Sequence, residues 1–186
     1  HPQGGLPFFV HLWGAESGAG KTVALMAAAS VWADPQIGRY IQTFNSTTVG
    51  HERLAAFLNS LPIIIDELQL AKDARGKLAF DVYKLAEGVG KTRGNRSGGI
   101  DLTPTWQCCI LTSGESPITG GNAGAGAKNR VLELECTGER KIIENGHAVA
   151  LALKQHYGHA GRRFVELLSR SGAIDTARTL FKAAFD

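Results

Sequence analysis

Apolar runs along this chain are short, and stretches of helical character separate them. Phe8-Phe9-Val10-His11-Leu12-Trp13 and Pro62-Ile63-Ile64-Ile65 are largely apolar without alternation, as expected of strands buried on both faces. Trp106–Thr112 and Val131–Cys136 read as two further strands, and Tyr40–Phe44 as a short fifth. Between them the pattern changes. Lys21–Trp32 is Ala-rich and predicts a helix ended by Asp34-Pro35. The polar cluster Ser46-Thr47-Thr48 precedes and caps a helix over Glu52–Asn59. Leu78, Val82, Leu85 and Ala86 share one face of a helix over Lys77–Glu87, with Gly88 as its C-cap. Gly90–Gly99 is polar, basic and glycine-rich, which suits a hairpin or loop, and Gly114–Lys128 is a long loop. From Ala148 onward the patterns are helical: Ala148–His156, Arg162–Ser171 and Ala173–Phe185.

Apolar strands alternating with helices predict an α/β fold, a parallel five-stranded sheet covered by helices on both faces. The expected division is a core over residues 1–144 and a helical C-terminal appendage over 145–186. Composition agrees: 44% hydrophobic and 20% charged residues suit a globular core. No apolar run approaches the ~20 residues that span a bilayer, and no signal peptide opens the chain, so a cytoplasmic protein without membrane contact is expected. The sole methionine is Met26, so the chain is expected to be a fragment of a longer protein. Cys108, Cys109 and Cys136 form no C-x-x-C pair and read as reduced core cysteines rather than zinc ligands. His156 and His159 read as turn residues, because no third ligand accompanies them. The net charge of +3 does not by itself imply a nucleic-acid partner.

Ala15-Glu16-Ser17-Gly18-Ala19-Gly20-Lys21-Thr22 carries the chemistry of a phosphate-binding loop, with Ala15 where the strict pattern has glycine. Glycines let backbone N–H groups turn inward around an anion, and the helix that follows favours negative charge at its start. In such a loop Lys21 reaches the β- and γ-phosphates of ATP and the Thr22 hydroxyl binds Mg²⁺. The motif follows an apolar strand and opens a helix, which is the context it requires. Gly88-Val89-Gly90-Lys91-Thr92 is a decoy, since it follows a helical pattern and Leu85 stands where the full phosphate-loop pattern needs Gly or Ala.

Ile63-Ile64-Ile65-Asp66-Glu67 ends an apolar strand in two carboxylates, and ligands of parallel sheets sit at the carboxyl ends of strands. Asp66 is suited to hold Mg²⁺ and Glu67 to orient and deprotonate an attacking water. The plainer alternative is an acidic strand-end turn. The adjacent Asp-Glu pair resembles the AAA+ and superfamily 3 helicase group. Transporter-type ATPases carry an L-S-G-G-Q signature that is absent here.

That resemblance implies further roles. Thr112 or Ser113, at the end of the strand after the acidic pair, would sense the γ-phosphate; a turn-capping hydroxyl is the alternative. Arg130, before the last strand, would reach a neighbouring subunit's ATP site, or else belong to a solvated Lys128/Arg130 pair. Lys91, Arg93 and Arg96 would point into a central channel and contact DNA phosphates; a solvated loop and an intersubunit arginine finger are the competing readings. Gly161-Arg162-Arg163-Phe164, at the start of a late helix, loosely resembles a second sensor arginine, or else is a surface helix start.

More specifically, the chain resembles a bacterial P-loop ATPase family of unknown function, found in phage, plasmid and mobile-element helicase-like proteins. The residues that carry this are Trp13–Thr22, Leu61–Leu68, Lys91-Thr92-Arg93-Gly94-Asn95-Arg96, Leu111-Thr112-Ser113-Gly114-Glu115 and His156-Tyr157-Gly158-His159-Ala160-Gly161. The resemblance implies an ATP-driven replication helicase or helicase loader acting on single-stranded or forked DNA, as a homo-oligomeric ring, with a hexamer favoured. An ATP-gated assembly switch that never moves on DNA is the rival, and it would use the same ATP residues.

Overall fold

The computed structural model describes residues 6–68, 82–119, 129–139 and 141–185. Five strands form one sheet: β1 (Phe8–Trp13), β2 (Gln42–Thr43), β3 (Ile63–Asp66), β4 (Cys109–Gly114) and β5 (Val131–Glu135). Their order is β2-β3-β4-β1-β5, and every neighbouring pair is parallel. β4 therefore lies between β1, which leads into the glycine-rich loop, and β3, which carries the acidic pair.

Six helices accompany the sheet among the described residues: α1 (Lys21–Ser30), α2 (Thr48–Leu58), α3 (Val82–Ala86), α4 (Gly146–Gln155), α5 (His159–Leu168) and α6 (Ala173–Phe185). None is long and apolar enough to cross a membrane. The predicted first turns of α3, from Lys77, lie outside the described residues, as do Lys128 and most of the loop leading to it.

Side-chain alternation along the central strands divides the core in two. Phe9, Ile63, Ile65 and Ile110 pack with Ala55 of α2 and with Leu85 and Ala86 of α3 on one face. Leu12 and Ile64 pack with Leu25, Met26 and Ala29 of α1 on the other, joined by Ala150 and Leu153 of α4. All four residues of β3 are buried, which is why its first three are isoleucines; the fourth is Asp66.

Several boundaries differ from the sequence expectation. Paired β4 begins at Cys109 rather than Trp106 and runs on through Gly114, because main-chain pairing with β1 continues to Trp13↔Gly114 whatever the side chains are. Trp106 belongs to the core beside the ladder, where its indole N–H donates to the Leu85 carbonyl at 2.8 Å. β2 shrinks to two residues at the sheet edge. α2 starts four residues before Glu52, at Thr48, because the Thr47 side chain accepts from the Gly50 N–H at 3.1 Å and caps there. α4 starts at Gly146, capped by Asn145, and α5 at His159, so both begin earlier than Ala148 and Arg162.

The join between α1 and α5 explains the run from His156 to Gly161. The N–H groups of Gly158 and Gly161 donate to the carbonyls of Ser30 and Val31, each at 2.7 Å, and so satisfy groups at the end of α1. A Cβ on Gly161 would lie 2.6 Å from both the Val31 oxygen and Trp32 Cε3. Trp32 also meets Phe164 edge to face at 6.2 Å.

Candidate nucleotide-binding site

The glycine-rich loop wraps over the carboxyl end of β1. Gly14 is wedged so tightly that a Cβ would collide with the Cys136 carbonyl oxygen. Its N–H donates to the Gly114 oxygen at 3.2 Å, which ties the loop to the end of β4. Gly18 and Gly20 have φ of 85° and 87°, a region glycine occupies without strain. Lys21 Nζ curls back to donate to the Gly14 carbonyl at 2.6 Å and the Glu16 carbonyl at 2.9 Å. The segment after β5 braces the loop from outside. There the Gly138 N–H donates to the Glu16 carboxylate at 2.6 Å, and the Ile142 N–H to the Ala19 carbonyl at 3.2 Å.

α1 opens on Gly20 with no side-chain cap and no acid in its first turn. Such a helix start leaves amides and a positive partial charge for an incoming anion. The wall facing it is Asp66, buried at the end of β3, with Ser113 at the end of β4. The Ser113 hydroxyl donates to Asp66 Oδ1. The Glu67 N–H donates to the same carboxylate oxygen at 3.1 Å and to Ser113 Oγ at 3.3 Å. Glu67 pays for that geometry with a φ of 62°, unusual for any residue other than glycine. Its side chain is exposed.

Loop and wall enclose a cavity of about 470 Å³, within the range of small-molecule sites. The cavity brings together the whole of Ala15–Thr22 with Asp66, Glu67 and Ser113. It also contains Glu115, Gly146 and His147, which sequence reasoning did not assign. A polar residue just past the β4 end was a signal for Glu115; nothing local pointed to the start of α4. The site suits a nucleotide phosphate chain with Mg²⁺: an ammonium, free helix amides, and the hard oxygen donors of Thr22 and Asp66 line one space. Mg²⁺ commonly takes few protein ligands and keeps water, so one hydroxyl and one carboxylate are a sufficient donor set.

Thr112 is not part of this cavity. It lies on the opposite face of β4, fully buried, with its hydroxyl 2.8 Å from His11 Nδ1. Arg130 lies before the first residue of β5, at the far end of the sheet from the cavity, and its Nη1 donates to the Ala86 carbonyl at 3.1 Å. Lys91, Arg93 and Arg96 lie on an antiparallel arm bridged at Val89↔Thr105 and Gly94↔Ile100. Lys91 and Arg96 are exposed. Arg93 instead pairs with Glu52 of α2 at 2.7 Å, and that glutamate is only 3% exposed. The decoy at Gly88–Thr92 opens no helix; Gly88, at φ 76°, ends α3. The three cysteines are free; Cys108 and Cys136 sit in the core and Cys109 is half-buried, and burial pushes the Cys108 thiol up to about 12 and Cys109 to about 11.

Residues 4–105 match the model of a family described as Domain of unknown function (DUF927). The chain belongs to this family. The matched stretch carries the loop, the acidic pair and the basic arm of the DUF927 domain, and stops short of β4. No curated protein matches the chain. Among solved structures it is similar to "SCCmec type IV Cch - active helicase", with a TM-score of 0.62 and 22% identity over 88% of this chain. That likeness is one of fold, and the chain spans 29% of the other protein's length.

Proposed function

We propose that this DUF927 chain is the ATP-hydrolysing AAA+-like motor module of a DNA helicase or helicase loader that serves replication of a phage or other mobile element. The observation that carries this reading is the cavity in which an uncapped helix start and Lys21 face Asp66, Glu67 and Ser113. The likeness in fold to a mobile-element helicase supports the helicase part.

Lys21 and the loop amides would grip the β- and γ-phosphates of ATP. Thr22 and Asp66 would hold Mg²⁺, which when bound offsets charge on the phosphates. Glu67 is the general base: exposed to the cavity, its carboxylate would take the proton of the attacking water. Ser113, hydrogen-bonded to Asp66 and to the Glu67 backbone, would report the γ-phosphate to both acids. Arg130, remote from its own cavity, would complete a neighbour's site in a ring, with a hexamer favoured. Lys91 and Arg96, with Arg93 behind them, would meet the phosphates of single-stranded or forked DNA.

The test is ATP hydrolysis by the full-length protein with and without single-stranded DNA, beside Glu67→Gln. The expected outcome is DNA-stimulated turnover that falls about 100-fold or more in Glu67→Gln while nucleotide binding persists. Hydrolysis indifferent to DNA but lost in Glu67→Gln would favour an ATP-gated assembly switch. Hydrolysis unchanged in Glu67→Gln would overturn the site.

A further inference from the structure

On the sheet face turned away from the phosphate loop, three polar side chains stand in one row across adjacent strands. Parallel register places His11 of β1 opposite both Thr112 of β4 and Glu133 of β5. A buried histidine in the middle of an apolar strand needs partners for both ring nitrogens. His11 has them: Nδ1 lies 2.8 Å from the Thr112 hydroxyl and Nε2 3.1 Å from the Ser116 carbonyl. Ser116 has only a carbonyl to offer there, so Nε2 carries the proton and Nδ1 accepts from Thr112. Burial lowers the pKa of this imidazole, which keeps it in that neutral form.

The same row grips the chain further on. Glu133 accepts the Ile118 N–H at 2.5 Å, the Thr119 N–H at 3.0 Å and the Thr119 hydroxyl. The His11 ring also lies directly against Gly114, where a Cβ would come within 3.1 Å of Cε1. Gly114 is the residue whose carbonyl holds the Gly14 N–H of the phosphate loop. Ser113 and Glu115, on either side of it, line the cavity.

We propose that His11 is a positioning residue, which with Thr112 and Glu133 latches the segment from Gly114 to Thr119 onto the sheet and so holds Ser113 and Glu115 at the nucleotide. The latch rests on the nucleotide-binding reading for its purpose, not for its existence. A phenylalanine at position 11 would fill the ring's space without either hydrogen bond, whereas glutamine keeps one donor and one acceptor.

The experiment is amide hydrogen exchange on the full chain for wild type, His11→Phe, His11→Gln and Thr112→Val, with and without Mg²⁺ and ATPγS. Hydrolysis and ATPγS affinity are measured on the same proteins. In His11→Phe, exchange over residues 114–119 should quicken about tenfold or more while β1 and β3 keep their protection. Turnover should fall about tenfold with ATPγS affinity altered less than about threefold, because the latch orients rather than binds. His11→Gln should recover much of both effects. Thr112→Val removes one hydroxyl at constant shape, and should loosen the same segment to a smaller degree even if His11→Phe does not fold.

Unchanged protection over 114–119 in the folded variants would overturn the latch, as would an equal loosening of the whole sheet. A wild type that fails to bind ATPγS would sink the nucleotide reading instead, and the exchange measured without nucleotide would still decide the latch.

Discussion

Glu67 is held in a left-handed backbone conformation, φ 62°, by its own N–H, which donates to Asp66 and Ser113. For a residue with a Cβ this region costs about 1–2 kcal/mol, more for a β-branched one. Such strain persists where neighbouring contacts over-determine it, and it gathers at functional sites. The acidic side chain is thus held at the cavity at some cost in stability. Glu67→Gly should therefore melt above Glu67→Val, by about 1–2 kcal/mol, despite glycine's greater freedom when unfolded. Both should lack hydrolysis. Denaturant or thermal melts of the two variants check it, and a valine variant as stable as the glycine one would refute the strain argument. At this scale the pair Asp66-Glu67 and the loop were legible, because their chemistry is written in adjacent residues. The choice between Thr112 and Ser113 was not: neighbours in a strand face opposite sides, and which side faces the cavity depends on the partner strands.

Among the elements, α1 joins the cavity to the C-terminal helices. It spans ~15 Å, with Lys21 and Thr22 at the cavity and the Gly158 and Gly161 amides on its last carbonyls. Alanine in a helix ordinarily stabilises by ~1 kcal/mol over glycine. At Gly161 the sign should reverse, since a Cβ would press on a backbone oxygen and the Trp32 ring at 2.6 Å. Gly161→Ala should cost about 1–3 kcal/mol and speed amide exchange in α5. A stabilised variant with α5 fully protected would contradict the clasp. Periodicity marked most helices and strands but missed their ends. Caps at Thr47 and Asn145 and ladder pairing at Gly114 decide those, and none is an apolar signal.

Over the whole molecule, the cavity lies at one end of the sheet and the three cations of the arm are not equivalent. Arg93 neutralises a buried carboxylate on α2, so its first task is to fasten the arm; Lys91 and Arg96 stay in solvent. Lys91→Ala and Arg96→Ala should each lower the salt slope of DNA binding by about one and leave melting unchanged. Arg93→Ala should instead strand Glu52 and cost about 1–3 kcal/mol of stability, discounted because the arginine is partly exposed. Glu52→Gln should soften that penalty. If the three alanine changes together leave DNA affinity and its salt dependence untouched, the arm does not bind DNA.

What the sequence determined by itself is the local chemistry: a strand–loop–helix able to cradle phosphate, a carboxylate pair at a strand end, and an alternation of strands and helices that demands a covered parallel sheet. These follow from spacing within a few residues, where backbone geometry leaves little choice. Only the tertiary structure decided that β4 lies between β1 and β3 and so carries Ser113 to Asp66. It alone turned His11 toward Thr112, gave Arg93 to Glu52, and closed the cavity with Glu115 and His147. Each of those pairings joins residues far apart in the chain, and strand order and register, which bring them together, are properties of the packed sheet rather than of any stretch of sequence.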